Sequence, residues 1–274
     1  MKVSIITSCY NRESTIKDAI NSVLQQDYSD IEYIIVDGAS KDKSSIVIES
    51  TLLDNSYTLS QIDGNLKLYT KESNIVKFLC EPDKGMYEAI NKGIKLATGD
   101  IIGLCHSDDL IYSQNTISNI VKRIRDTNSD FLYADGVFVD PNNLNKIIRR
   151  WIGGKYSQWK VKHGWLPLHP TCYLKCSLMD KLGLYDEQYK IAADTDLLVR
   201  YLLQDDIKVT YLPEFVTRMR MGGMSTDSAK RKKMWQEDIR VYTGHGFKHV
   251  TLTKIEKMMW KVPQFILAKL KGEN

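Results

Sequence analysis

The chain has 274 residues, 43% of them hydrophobic and 26% charged, with a formal net charge of +4. That composition excludes a disordered tract, a fibrous repeat and a small disulfide-stapled module, and the length suffices to bury a core without staples. No window carries the roughly 18 uninterrupted apolar residues of a membrane-spanning helix. Five cysteines, Cys9, Cys80, Cys105, Cys172 and Cys176, include no CxxC pair and read as reduced thiols. The opening Met1-Lys2-Val3-Ser4-Ile5-Ile6 runs into a strand-like segment rather than a leader, so the expected location is cytoplasmic.

In chain order, Val3–Ser8 reads as a strand and Ser14–Gln26 as a helix, with Ile16, Ala19, Ile20, Val23 and Leu24 on one face. Ile31–Val36 is a second strand and Asp42–Leu53 a second helix. The polar stretch from Asn55 to Asn74 reads as a surface loop or insertion. Val76–Cys80, the helix Gly85–Ala97 and the strand Asp100–Cys105 complete an alternation that implies right-handed crossovers and a mostly parallel sheet. Phe131–Val139 and the stretch around Ile147–Tyr156 are further strands, some antiparallel. Ser177–Leu182 and Asp194–Leu203 are helical, and Lys208–Leu212 is a short strand before Pro213.

From Ala229 onward the chain is helical and basic, with 11 Lys and Arg against 4 Asp and Glu, and Pro263 interrupts the last helix. Lys254, Lys257, Lys261, Lys269 and Lys271 interleave with Ile255, Met258, Met259, Trp260, Val262, Phe265 and Ile266. Two readings stand side by side. A basic amphipathic helix lies on an anionic leaflet, or it packs on the body with its lysines in solvent.

Ligands of open α/β sheets sit beyond the carboxyl ends of the strands. Each early strand ends in polar residues: Thr7, Ser8, Tyr10 and Asn11; Asp37 to Asp42; Glu81 to Gly85; and His106 to Asp109. Adjacent carboxylates at Asp108-Asp109 repel unless a cation or solvent relieves them, although a helix cap is the plain alternative. Asp194-Thr195-Asp196 opens a helix; Asp196 reads as structural, whereas Asp194 is a candidate general base. His169 is either a contact for donor, acceptor or metal, or a satisfied structural histidine. Gly222-Gly223 after Arg218-Met219-Arg220-Met221 is either a loop that closes over phosphates, with Arg218 as their partner, or an ordinary turn.

Taken in order, these motifs resemble the family 2 glycosyltransferases with the GT-A fold. The resemblance runs through Val3–Asn11, Val36–Asp42, Glu81–Gly93, Ala97–Asp100, Ser107–Asp109, Leu182–Asp186 and Ala192–Arg200, and spans roughly residues 1 to 225. It implies an α/β GT-A domain over 1–225, with a nucleotide-sugar half (1–110) and an acceptor half (111–225), and a basic helical tail over 226–274.

It further implies an inverting transfer of a sugar from a nucleoside-diphosphate donor, UDP by preference, to an acceptor hydroxyl. The expected acceptor is a lipid-linked glycan of bacterial surface-polysaccharide assembly, met at the inner face of the membrane. By this resemblance Thr7, Tyr10, Asn11 and Asp37 hold base and ribose, and Asp83, Lys84 and Asp108 contact the donor. Asp109 ligates Mn2+ or Mg2+, and Asp194 is the catalytic base. Two departures stand out: Asp37-Gly38 where many members carry two aspartates, and no acidic residue two before Asp109.

A nucleotidyltransferase would need an early glycine-rich phosphate loop, and Thr7–Arg12 has no glycine. A non-catalytic sugar-nucleotide module would not need both an acidic pair and a positioned base. Nucleic acid is not an expected partner.

Overall fold

A computed structural model describes residues 1–222, 231–262 and 264. The first half comprises β1 (Val3–Cys9), α1 (Ile16–Leu24), β2 (Ile31–Asp37), α2 (Ser44–Asp54), β3 (Thr58–Asp63), β4 (Leu66–Lys71), β5 (Asn74–Cys80), α3 (Met86–Leu96), β6 (Ile101–Leu104) and β7 (Leu110–Ile111). There follow α4 (Thr116–Thr127), β8 (Phe131–Asp140), β9 (Asn143–Trp151), α5 (Gln158–Lys162), a 3-10 turn at His169–Thr171, β10 (Tyr173–Lys175), α6 (Cys176–Leu182), α7 (Ala193–Leu202) and β11 (Val209–Arg220). The elements close with α8 (Arg231–Gly244) and α9 (Val250–Met259).

The strands form one sheet in the order β3-β4-β5-β2-β1-β6-β10-β8-β11-β7, with β9 on β8. Its parallel part is β5-β2-β1-β6 together with the β8–β11 pair. The other pairings are antiparallel. β1 and β2 are buried on both faces, and so read as continuous apolar runs. Ile5 joins the core under α1, α2 and α4, while Ile6 joins the core under α3 and α7.

The helix α3 lies close on the sheet because Gly93 has no side chain; a Cβ there would sit 2.5 Å from Ile6 Cγ2. Under the Ala97-Thr98-Gly99 turn, buried Glu32 accepts from Ser4 Oγ (2.6 Å) and from the Thr98 amide (2.7 Å), and it pairs with Lys77 (2.7 Å). Burial disfavours its charge, but these bonds outweigh burial and lower its pKa to about 2.

Three expectations are corrected. Asn55–Asn74 is not a loop: β3 and β4 form an antiparallel hairpin on the sheet edge, turning at Gly64 (φ +57°). Every residue of β3 is exposed, so no apolar alternation marks it. The strand expected to stop before Pro213 continues to Arg220, with register shifts between Leu212 and Thr217 that accommodate the proline.

The third correction concerns the tail. Its described part packs on the body, but with Lys254 (7% exposed) and Lys257 turned inward and Leu252, Ile255, Met258, Met259 and Val262 turned out. Pro263, Phe265, Ile266, Lys269 and Lys271 lie outside the described residues. The five cysteines are free thiols.

Candidate active site

The carboxyl ends of β1, β2, β5 and β6 meet along one edge of the parallel strands. After β1, Asn11 takes a left-handed conformation (φ +53°). Its amide donates to Ser40 Oγ (2.8 Å) and its Oδ1 accepts the Lys41 amide (2.8 Å), which ties the first two loops together. Tyr10 is 49% exposed beside them, a ring open to a ligand. After β5, Asp83 is half-buried, and its Oδ1 accepts the Gly85 amide (2.9 Å) at the start of α3. Burial raises the Asp83 carboxyl above its usual value, against the pull of that amide. Lys84 is exposed, with its amide bonded to Glu88 Oε2 (2.8 Å).

Two residues expected to face the donor are instead spent on the fold. Thr7 is fully buried; its hydroxyl donates to the Cys105 carbonyl (2.6 Å) and meets the Tyr33 hydroxyl (2.9 Å). Asp37 is fully buried too, and its carboxylate takes the hydroxyls of Ser40 and Ser45 and the Ser40 amide (3.2 Å). Both shape the loops a ligand would touch. Neither presents its side chain.

The acidic turn after β6 divides its two carboxylates. Asp109 is 3% exposed, and its Oδ1 accepts the Arg220 amide (3.2 Å). Burial, then the Asp108 charge, push the Asp109 carboxyl well above the usual range. Asp108 is the open one, with 28% of its side chain exposed and Arg12 Nε 3.8 Å from its Oδ2. Asp109, the expected direct metal ligand, thus has one carboxylate oxygen on the Arg220 amide, and Asp108 is the more accessible carboxylate of the pair. One accessible carboxylate suits a hard divalent cation that a diphosphate and water complete. Among the described residues no cluster of three acidic, histidine or cysteine side chains forms a closed cage.

Arg220, at the end of β11, holds this turn. Its guanidinium donates to the Asp108 carbonyl (2.7 Å) and pairs with Asp18 of α1. Sequence reasoning passed over it in favour of Arg218, whose guanidinium stacks on Tyr112 at 4.7 Å. Two positions apart on one strand, both residues fall on the same face of β11, so the alternation does not choose between them; their partners do, Arg220 on the acidic turn and Arg218 on Tyr112. Gly223 lies outside the described residues.

Asp194 stands in the first turn of α7, its Oδ1 accepting the Thr195 amide (2.7 Å). Asp196 is structural, paired with Arg200 (3.0 Å) and His245 (2.8 Å). The loop before α7 is gripped by the long motif on α3. Tyr87 donates to the Ile191 carbonyl (2.9 Å) and stacks on Tyr185, while Asn91 bonds both the amide and the carbonyl of Tyr185.

His169, 9% exposed, meets the Tyr185 hydroxyl through Nε2 (2.7 Å). Burial lowers its pKa to about 4. His106 lies beside it, ring centroids 6.2 Å apart. Burial lowers the His106 pKa as well, while the charges of both Asp108 and Asp194 raise it.

A sequence model described as "Glycosyl transferase family 2" matches residues 4–181. A "PGL/p-HBAD biosynthesis glycosyltransferase" of Mycobacterium tuberculosis is 24% identical over 224 residues, which is 81% of this chain and 78% of that one. Among solved structures, residues 1–349 of S. aureus TarS in complex with UDP-GlcNAc align with a TM-score of 0.68 at 17% identity, covering 98% of this chain and 79% of that one. The mannosyltransferase PcManGT of Pyrobaculum calidifontis, in complex with GDP-Man and Mn2+, aligns with a TM-score of 0.64 at 15% identity, covering 100% and 76%. At these identities the structural likeness is one of fold.

Proposed function

This chain belongs to glycosyl transferase family 2 and is a glycosyltransferase of GT-A fold, and we propose that it moves a sugar from a UDP-sugar to an acceptor hydroxyl with inversion at the anomeric carbon. One observation supports the reading: His106, two residues before Asp108, lies beside His169, which bonds Tyr185, and Tyr185 stacks on Tyr87, whose hydroxyl holds the Ile191 carbonyl just before the Asp194 turn. A contiguous run of contacts thus joins the acidic turn after β6 to the start of α7.

In this reading Tyr10, Asn11 and Asp83 border the nucleoside, and Asp108 is the residue that would hold Mn2+ or Mg2+; bound there, the ion would supply positive charge to a leaving diphosphate. Thr195 fixes the Asp194 carboxylate through Oδ1. We assign the other oxygen, Oδ2, to the acceptor's proton. As that proton leaves, the acceptor oxygen bonds to the anomeric carbon, and the carbon–oxygen bond to the diphosphate breaks with its electron pair on the leaving group. A single displacement inverts the centre and needs no protein nucleophile. His169, whose pKa burial lowers to about 4, is neutral near pH 7 and does not compete for the proton.

We further propose that the acceptor is lipid-linked and reached at an anionic bilayer through the outer face of α9. No described helix is long and apolar enough to cross a membrane. On α9, Leu252 (53% exposed), Ile255 (44%) and Met259 (63%) form an apolar stripe at helical spacing. Exposed Arg231, Lys232 and Lys233 open α8 and exposed Lys248 lies in the turn before α9, and exposed cations together with an apolar stripe suit an anionic interface.

A thermal-shift panel of UDP-, GDP- and dTDP-sugars, with and without Mn2+, tests the donor assignment. The expected result is stabilisation by a UDP-sugar that grows with Mn2+. Stabilisation by GDP- or dTDP-sugars alone would reassign the donor.

A further inference from the structure

Helices α8 and α9 lie beyond the residues that the family model matches. They nevertheless converge on the turn that carries Asp194. Glu237, 4% exposed, accepts the amides of Ile191 (2.7 Å) and Ala192 (3.0 Å), which lead into α7. Its neighbour Asp238, 1% exposed, pairs with Lys254 and with Lys257 (2.8 Å). Lys257 Nζ also donates to Thr195 Oγ1 (2.8 Å), and the Thr195 amide donates to Asp194 Oδ1 (2.7 Å). A continuous path thus runs from Asp238 through Lys257 and Thr195 to Asp194.

A buried ionic cluster stabilises little more than well-packed apolar side chains would in its place. Its geometry points to a task. Asp238 is shared by Lys254 and Lys257, and of these two ammonium groups Lys257 is the one hydrogen-bonded into the turn that carries Asp194.

We propose that Lys257 is a positioning residue for sugar transfer: through Thr195 it fixes the orientation of the Asp194 carboxylate. The proposal rests on Asp194 being the base. It also makes α8 and α9 part of the catalytic apparatus rather than an appendage.

The test uses the full chain and follows nucleoside diphosphate released from UDP-sugars in wild type, Lys257→Met, Lys257→Arg and Thr195→Val. Lys257→Met is expected to lower kcat about 10- to 100-fold with donor KM unchanged. Lys257→Arg restores most of the lost kcat. Thr195→Val keeps the charge and near-identical volume, so it remains informative if Lys257→Met does not fold; it too lowers kcat with donor KM unchanged. Unchanged kcat in folded Lys257→Met, or unchanged kcat in Thr195→Val where Lys257→Met does not fold, overturns the proposal while leaving the transferase reading intact. A wild-type chain that releases nucleotide from no donor overturns that reading and this proposal with it.

Discussion

Gly38 and Asp83 share the space of one side chain: a Cβ at position 38 would lie 2.3 Å from Asp83 Oδ2. The loops after β2 and β5 can approach this closely only with glycine at 38. The departure from a paired-aspartate motif is thus matched by a second carboxylate arriving from another strand. Gly38→Ala is expected to push Asp83 away from the cleft and weaken donor binding about tenfold, equivalent to about 1.4 kcal/mol. Thermal stability should change little, since the displaced group is a half-buried carboxylate at a loop. Calorimetric titration with the donor checks this, and unchanged affinity would remove Asp83 from the donor site.

His169 makes stability depend on pH. Its folded pKa is lowered to about 4 from the ordinary 6.5, chiefly by burial. Between those values the unfolded chain binds more protons than the native one, so stability rises with pH. The contribution is fully present above pH 6.5 and drains away as pH falls toward 4. Its size is at most about 3 kcal/mol. Urea unfolding of wild type and His169→Phe at pH 7 and pH 4.5 measures it. Wild type should lose more stability than the variant over that interval, and parallel losses would refute the assignment.

The outer face of α9 gives a prediction that separates apolar contact from basic charge. Replacing Leu252, Ile255 and Met259 by serine should reduce co-sedimentation with anionic vesicles several-fold, since each buried methylene contributes about 0.8 kcal/mol. The folded body should survive, because these side chains already face solvent. Equal sedimentation of variant and wild type would detach α9 from the membrane.

Where burial follows a period, the sequence was legible. α3 could be read because its apolar residues recur at helical spacing, β1 and β2 because burial on both faces leaves continuous runs, and the long motif on α3 could be read because Tyr87 and Asn91 have partners to hold. The edge hairpin β3–β4 escaped because a solvated strand needs no pattern. Asp108 and Asp109 are chemically identical neighbours; only the backbone of Arg220, 3.2 Å from Asp109 Oδ1, decides which turns inward. Thr7 and Asp37 stand in the right loops but serve them from inside, a distinction set by partners remote in sequence. Lys254 and Lys257 read as solvated because lysine seldom buries, and the compensating Asp238 comes from a different helix.

The most direct test of the account is Asp194→Asn, measured for both donor binding and transfer. The substitution keeps shape and removes the ability to take a proton. Transfer should fall by about 10²- to 10⁴-fold, while the UDP-sugar thermal shift stays at its wild-type value. Transfer at the wild-type rate in a folded Asp194→Asn protein would contradict the assignment of the base.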